Sequence, residues 1–127
     1  MELDYKKLQM RGLREVVDYS QKLIPGLCEM IEELRDGRRN DTAEILNLVI
    51  LGLNWEIEMY NYTEKLINTD KKVIDKKQMT QCVIRLGEVL KSADDNMIAD
   101  CLETDFLPFL KTFERASKDT LMRESAS

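Results

Sequence analysis

The chain contains no histidine. That absence removes Ser-His-Asp and Cys-His nucleophilic catalysis, haem held by a histidine, and the Glu-x-x-His sets with which ferritin-like bundles hold two irons. Glycine and proline are scarce too, five and two in 127 residues, too few for the turns of a β-sandwich or barrel. Cys28, Cys82 and Cys101 lie far apart, with no Cys-x-x-Cys pair to suggest zinc or thiol redox chemistry. They read as reduced thiols of a cytoplasmic protein, embedded in apolar helix faces. No apolar run approaches the roughly 18 residues of a membrane span, and MELDYKKLQM lacks the apolar centre of a signal peptide. The formal net charge is −5, so nucleic acid and anionic membranes, which need a concentrated basic face, are not expected as partners. Lys71, Lys72, Lys76 and Lys77 are diluted by Asp70 and Asp75, as in a solvated loop.

What the chain does have is helical periodicity. With 43% apolar and 34% charged residues, it reads as a single domain over residues 1–127. The expected fold is all-α, a four- or five-helix, mostly antiparallel bundle with a long central helix at about 42–68. Within that helix, Leu46, Val49, Ile50, Leu53, Ile57 and Tyr60 form one face at i, i+3, i+4, i+7 spacing. Ile45, Leu48, Gly52, Trp55, Met59, Tyr62 and Leu66 form a second row beside it. Together they offer more apolar surface than one neighbour can cover.

The flanking signals define the other helices. A first helix from about Asp4 to Leu23 presents Tyr5, Leu8, Leu13, Val16, Val17 and Leu23 inward. Pro25 predicts a kink or brief break, after which helix resumes to about Asp36 and stops at Gly37. Asp41 with Glu44 and Asp75 with Gln78 are capping-box-like pairs. The helix from about Lys76 to Lys91 buries Met79, Cys82, Val83, Leu86, Val89 and Leu90, and Ser92 with Asp95 caps the next helical segment. Pro108 predicts a new helix start near Thr104 or Asp105, with the proline in the first turn. The polar tail from about residue 117 is expected to fray.

No set of residues amounts to a catalytic signature, and no cofactor or metal site is expected. Asp94, Asp95, Asp100, Glu103 and Asp105 form the densest acidic group, the basis of an alternative reading as a divalent-metal- or small-ligand-binding bundle. Their spacing lacks the alternating ligands and glycine of a calcium loop, so caps and a solvated face are the simpler account. Glu56 beside Trp55 invites a raised pKa, or a partner such as Arg14 or Arg85. The aromatic side chains exceed what a narrow interior needs. Leu51, Trp55, Met59 and Tyr62 on the central helix, with Phe106, Phe109 and Phe113 near the end, are therefore the candidate partner-binding residues.

GRRNDTAEILNLVILGLNWEIEMY, with its Ile50-Leu51-Gly52-Leu53-Asn54-Trp55 core, resembles the central helix of a small, uncharacterised helical-bundle family of Firmicute-type bacteria. MIADCLETDFLPFL resembles that family's closing motif through Ala99-Asp100 followed by Asp105, Leu107 and Pro108, and LIPGLCEMIEEL is similar to its first helix. The resemblance spans most of residues 20–113; its motifs are packing motifs and imply a fold without an activity. In size and acidity the chain is also similar to bacterial export chaperones, small bundles that hold an amphipathic segment of a client. The expected function is non-enzymatic protein–protein contact in the cytoplasm, as a homodimer or as an adaptor or chaperone for a client helix.

Overall fold

The fold is that of a computed structural model, which describes the backbone of residues 2–126 and the side-chain burial of residues 4–125. It is all-α, with no strand among the described residues: α1 (Glu2–Asp36), α2 (Thr42–Ile67), α3 (Lys76–Ser92), α4 (Asp95–Cys101), a π-helical turn (Leu102–Phe106) and α5 (Leu107–Ala126). Because α4, the π turn and α5 run on without a gap, they act as one long fourth helix, and four helices pack as a bundle.

Contacts at the helix ends fix the directions. The Gln9 side-chain amide donates to the Tyr62 carbonyl at 3.0 Å and Ser20 meets Glu56, so α1 and α2 are antiparallel. Arg35 pairs with Asp100 and Glu103, while Lys6 pairs with Glu124 near the other end, so α1 is antiparallel to the fourth helix as well. α1 packs on α2, α4 and α5, and α2 packs chiefly on α1 and α5. One core cluster holds Leu23, Leu27, Met30, Leu46, Leu53, Leu86, Ile98 and Phe106 among others. A second holds Leu13, Val16, Tyr60, Ile67, Met79 and Phe113.

The helix signals held in part. Gly37 stops α1 with a φ of 124°, a conformation that L side chains rarely adopt. Its N–H bonds the Glu33 carbonyl at 3.0 Å. Asp75 caps α3 by accepting from the Lys77 N–H. Asp41, by contrast, makes no side-chain cap; Thr42 Oγ1 instead accepts from the Arg39 N–H and donates to Glu33, both at 2.7 Å. The cap of α4 is Asp94, not Ser92 with Asp95, because the Asp94 carboxylate reaches the Met97 N–H. Pro25 does not interrupt α1. It sits exposed, while Leu23 and Leu27 to either side are buried and hold the helix to the core.

At the fourth helix, Ile98, Leu102, Phe106 and Leu110 recur every four residues and are all buried. On a regular α-helix three such steps drift by about 120° at 3.6 residues per turn. The π turn absorbs that drift: the Leu107 N–H bonds the Leu102 carbonyl, five residues back. The wider turn ends beside Pro108, which enters without starting a new helix. The helix then continues to Ala126, where fraying from residue 117 was expected. Ser117 and Thr120 are buried, and Arg123 bonds the Leu66 carbonyl at 2.8 Å, so the last turns are tied down by α2; Ser127 lies outside the described residues.

Candidate protein-interaction surface

The outward face of α2 carries Leu48, Leu51, Trp55, Met59 and Tyr62, at steps of three and four residues that align them in one row. Leu48 is 60% and Leu51 64% exposed, whereas Trp55 and Met59 are half-buried and Tyr62 is exposed. Of the apolar surface expected to exceed what one neighbour can cover, α1 covers one edge of this row and leaves Leu48 and Leu51 in the open. α1 supplies one flank. Tyr5 and Leu8, expected inward, are about half exposed, and Tyr5 lies beside the row's C-terminal end. The Tyr5 and Tyr62 rings meet edge to face at 5.6 Å, and Tyr19 meets Trp55 in the same way at 5.2 Å.

Two glycines seat this surface. A Cβ on Gly12 would overlap the Met59 methyl, and one on Gly52 would overlap the Tyr19 hydroxyl. Each bulky side chain of one helix thus lies over a glycine of the other, bringing the α1 and α2 backbones close and spreading Met59 and Tyr19 across the seam. Glycines facing large residues on two amphipathic helices are the sequence signal that would have found this seam; Leu48, Tyr5, Leu8 and Tyr19 were not among the expected partner residues.

The three phenylalanines are placed differently. Phe106 and Phe113 are 1% and 0% exposed, and Phe109 is half-buried. Tyr60 meets Phe113 and Phe109 edge to face at 5.7 and 6.1 Å, and the two phenylalanines stack at 5.8 Å. Phe106 and Phe113 are core side chains, one in each core cluster, and Phe109 packs against both clusters from the edge. The buried Tyr60 hydroxyl donates to the Ile74 carbonyl at 3.0 Å and accepts from Asn68, pinning the α2–α3 loop beneath them.

Glu56 is fully buried between α1 and the fourth helix. The Ser20 hydroxyl donates to its Oε2 at 2.7 Å, and among the described residues no hydrogen-bond donor meets Oε1. Loss of hydration pushes the carboxyl up to about 7; the Ser20 bond opposes that, and the negative Glu114 adds to it. Neither arginine considered as its partner is there: Arg85 is bonded to Asp105, and Arg14 is exposed. The Glu56 bond to Ser20 ties α2 to α1 from within the packing.

The acidic group of the fourth helix is held by cations from elsewhere. Arg35 bridges Asp100 at 2.9 Å and Glu103 at 3.0 Å. Arg38 grips Asp95 with two nitrogens at 2.8 and 2.9 Å, which lowers the Asp95 pKa. Arg85 holds both Asp105 oxygens at 2.7 and 2.8 Å. Among the described residues no three His, Cys, Asp or Glu side chains converge as a metal-ligand set. Cys101, buried, donates to Asp105 at 3.6 Å, and burial pushes its thiol up to about 12; Cys82 is shifted the same way by the same cause. Such thiols stay protonated and unreactive. A cavity of about 190 Å³ lies between Met79 and Cys82 on α3 and Asp105, Pro108 and Phe109. It is smaller than the roughly 300–1,000 Å³ of ordinary small-molecule sites.

No helix among the described residues is long and apolar enough to cross a membrane. No curated protein and no solved structure matches the chain. A family model does match residues 12–116, from the Gly12 seat on α1 through α2 and α3 to the buried Ala116 on α5. The matched span thus contains both glycine seats, the whole outward row of α2 and the π turn, and by it the chain belongs to the family described as Domain of unknown function (DUF8042).

Proposed function

We propose that this protein is a non-enzymatic protein–protein interaction module of the bacterial cytoplasm, an acidic helical bundle that works as a homodimer or as an adaptor of the export-chaperone kind. The observation that carries the reading is the outward row of α2, where Leu48 and Leu51 stand about two-thirds exposed beside the half-buried Trp55 and Met59. Exposed apolar side chains scattered singly are ordinary, but a continuous row along one helix, rimmed by charge, is the usual composition of a protein interface. Glu44, Glu58 and Lys65 supply that rim. Within its family we take the Ile50–Trp55 core and the Ala99–Pro108 closing segment as packing signatures of a lineage in Firmicute-type bacteria.

The test is a double variant, Leu48→Lys with Leu51→Lys, compared with the unchanged protein by chemical cross-linking in cells and by thermal melting. The expected result is an unaltered melt with loss of the cross-linked species, whether self or client. Cross-links that persist undiminished in the variant overturn the reading.

A further inference from the structure

The row on α2 is symmetric about Trp55. Leu51 and Met59 stand four residues to either side, and Leu48 and Tyr62 stand seven to either side. A helix with that pattern is complementary to itself when a second copy lies against it in the opposite direction. Leu48 then faces the partner's Tyr62, Leu51 faces the partner's Met59, and the two Trp55 side chains meet at the axis. This is the self-complementary arrangement a two-fold interface requires, each contact occurring twice.

The ends of the row are unlike each other in the sense the pairing needs. At one end the exposed groups are aliphatic, Ile45 and Leu48; at the other they are aromatic, Tyr62 with Tyr5 against it. Opposed chains bring aliphatic side chains onto aromatic rings, whereas a parallel pairing stacks like on like. Charge points the same way. Glu44 lies eleven residues before Trp55 and Lys65 ten after it, both exposed, so antiparallel copies bring each Glu44 beside a Lys65. Parallel copies would set Glu44 on Glu44 and Lys65 on Lys65. The Glu58 side chains of the antiparallel pair fall six residues apart, about 9 Å along the axis, and do not collide.

We infer that the occupant of the α1–α2 surface is a second copy of this chain, docked through an antiparallel α2–α2 pairing with Trp55 at the two-fold axis. This rests on the reading of the row as a protein interface. Its test is the native mass by light scattering over a concentration series, for the unchanged protein, Leu51→Glu, Glu44→Lys, Lys65→Glu and the last two combined. The unchanged protein should be a dimer and Leu51→Glu a monomer, its association weakened at least a hundredfold. Each single charge reversal should weaken association about five- to tenfold, and the combined reversal should restore it.

A dimer indifferent to Leu51→Glu overturns the pairing, and equal binding of the apolar dye ANS by the two proteins then overturns the interface reading as well. A dimer lost in Leu51→Glu but indifferent to the single charge reversals overturns the antiparallel register and keeps the interface. A monomer at every concentration overturns self-pairing. In that case the apolar dye ANS, bound by the unchanged protein and not by Leu51→Glu, keeps the row as a face for a client.

Discussion

Leu51 and Leu53 are two residues apart on α2, of the same chemistry, and one is 64% exposed where the other is 1% exposed. The same contrast runs the length of the helix. Leu46, Val49, Leu53 and Tyr60 are buried against α1 and the fourth helix, while Leu48, Leu51 and Tyr62 face outward. Residue type does not distinguish these rows; the number of neighbours the chain supplies does. α2 has two substantial neighbours, α1 and α5, and together they cover one of its two apolar rows and the edge of the other. Apolar surface that a fold makes and does not cover is where another chain is worth looking for.

The largest way to test the contrast is at its inner side. Leu53→Ala removes a fully packed side chain and should cost about 2–5 kcal/mol in unfolding free energy, read by urea denaturation at low protein concentration. A loss below about 1 kcal/mol would mean that the inner row is not the packed one. The next effect belongs to Glu56, on the same inner side. A carboxyl held at about 7 binds its proton more tightly folded than unfolded, so its contribution is fully present below the unfolded value near 4.5. That contribution declines as pH rises toward 7, by about 3 kcal/mol in all at 1.36 kcal/mol per unit. Glu56→Gln should flatten the slope of stability between pH 4.5 and 7. Asp95 and Glu124, whose pKa values are lowered, act in the opposite sense and only at more acid pH, so they do not mask it. An unchanged slope in Glu56→Gln would place the proton uptake elsewhere.

Much of the architecture was legible. α2 lies within a residue of the span read from Asp41 to Asn68, and the Gly37 stop and Asp75 cap are where the residues put them. These are local signals, set by hydrogen bonds within a few residues. What was not legible depended on partners far along the chain. Pro25 marks a break only if packing does not carry the helix across it, and buried Leu23 and Leu27 do. The acidic group on the fourth helix resembles an open ligand set until Arg35, Arg38 and Arg85 arrive from α1, the loop after it and α3. Phe106 and Phe113 look like surplus aromatics until the fourth helix carries both into the core. The fourfold spacing of Ile98, Leu102, Phe106 and Leu110 around a proline was the available sign of the π turn. Of the candidate site, Leu51, Trp55, Met59 and Tyr62 do share one surface, since their spacing alone aligns them. The α1 flank was missed, because Tyr5 and Leu8 fit an inward row as well as an outward one.

Between the two rows sits Gly52, buried, with Tyr19 lying over it. Gly52→Ala should lower stability by about 1–3 kcal/mol despite alanine's better helix propensity, because Tyr19 must leave its place against Trp55. Tyr19→Phe in the same chain removes the atom that collides and should return part of that loss. Part only is expected, since the Leu23 methyl would still stand 3.0 Å from the new Cβ. Additive losses in the two variants would mean that Tyr19 does not rest on Gly52.

The smallest effect sharpens the contrast most. Leu51→Ala removes the same atoms as Leu53→Ala from a site two residues away. At low protein concentration it should change stability by no more than about 0.5 kcal/mol, as exposed positions do. Concentration is what separates a bare surface from an interface. If the outward row pairs with a second copy, the melting temperature of the unchanged protein rises with protein concentration, because association stabilises only the folded chain. In Leu51→Ala that rise should shrink while the low-concentration melt stays where it was. A melt equally independent of concentration in both proteins would leave Leu51 an ordinary exposed leucine, and the difference between the two rows would then end at the folded monomer.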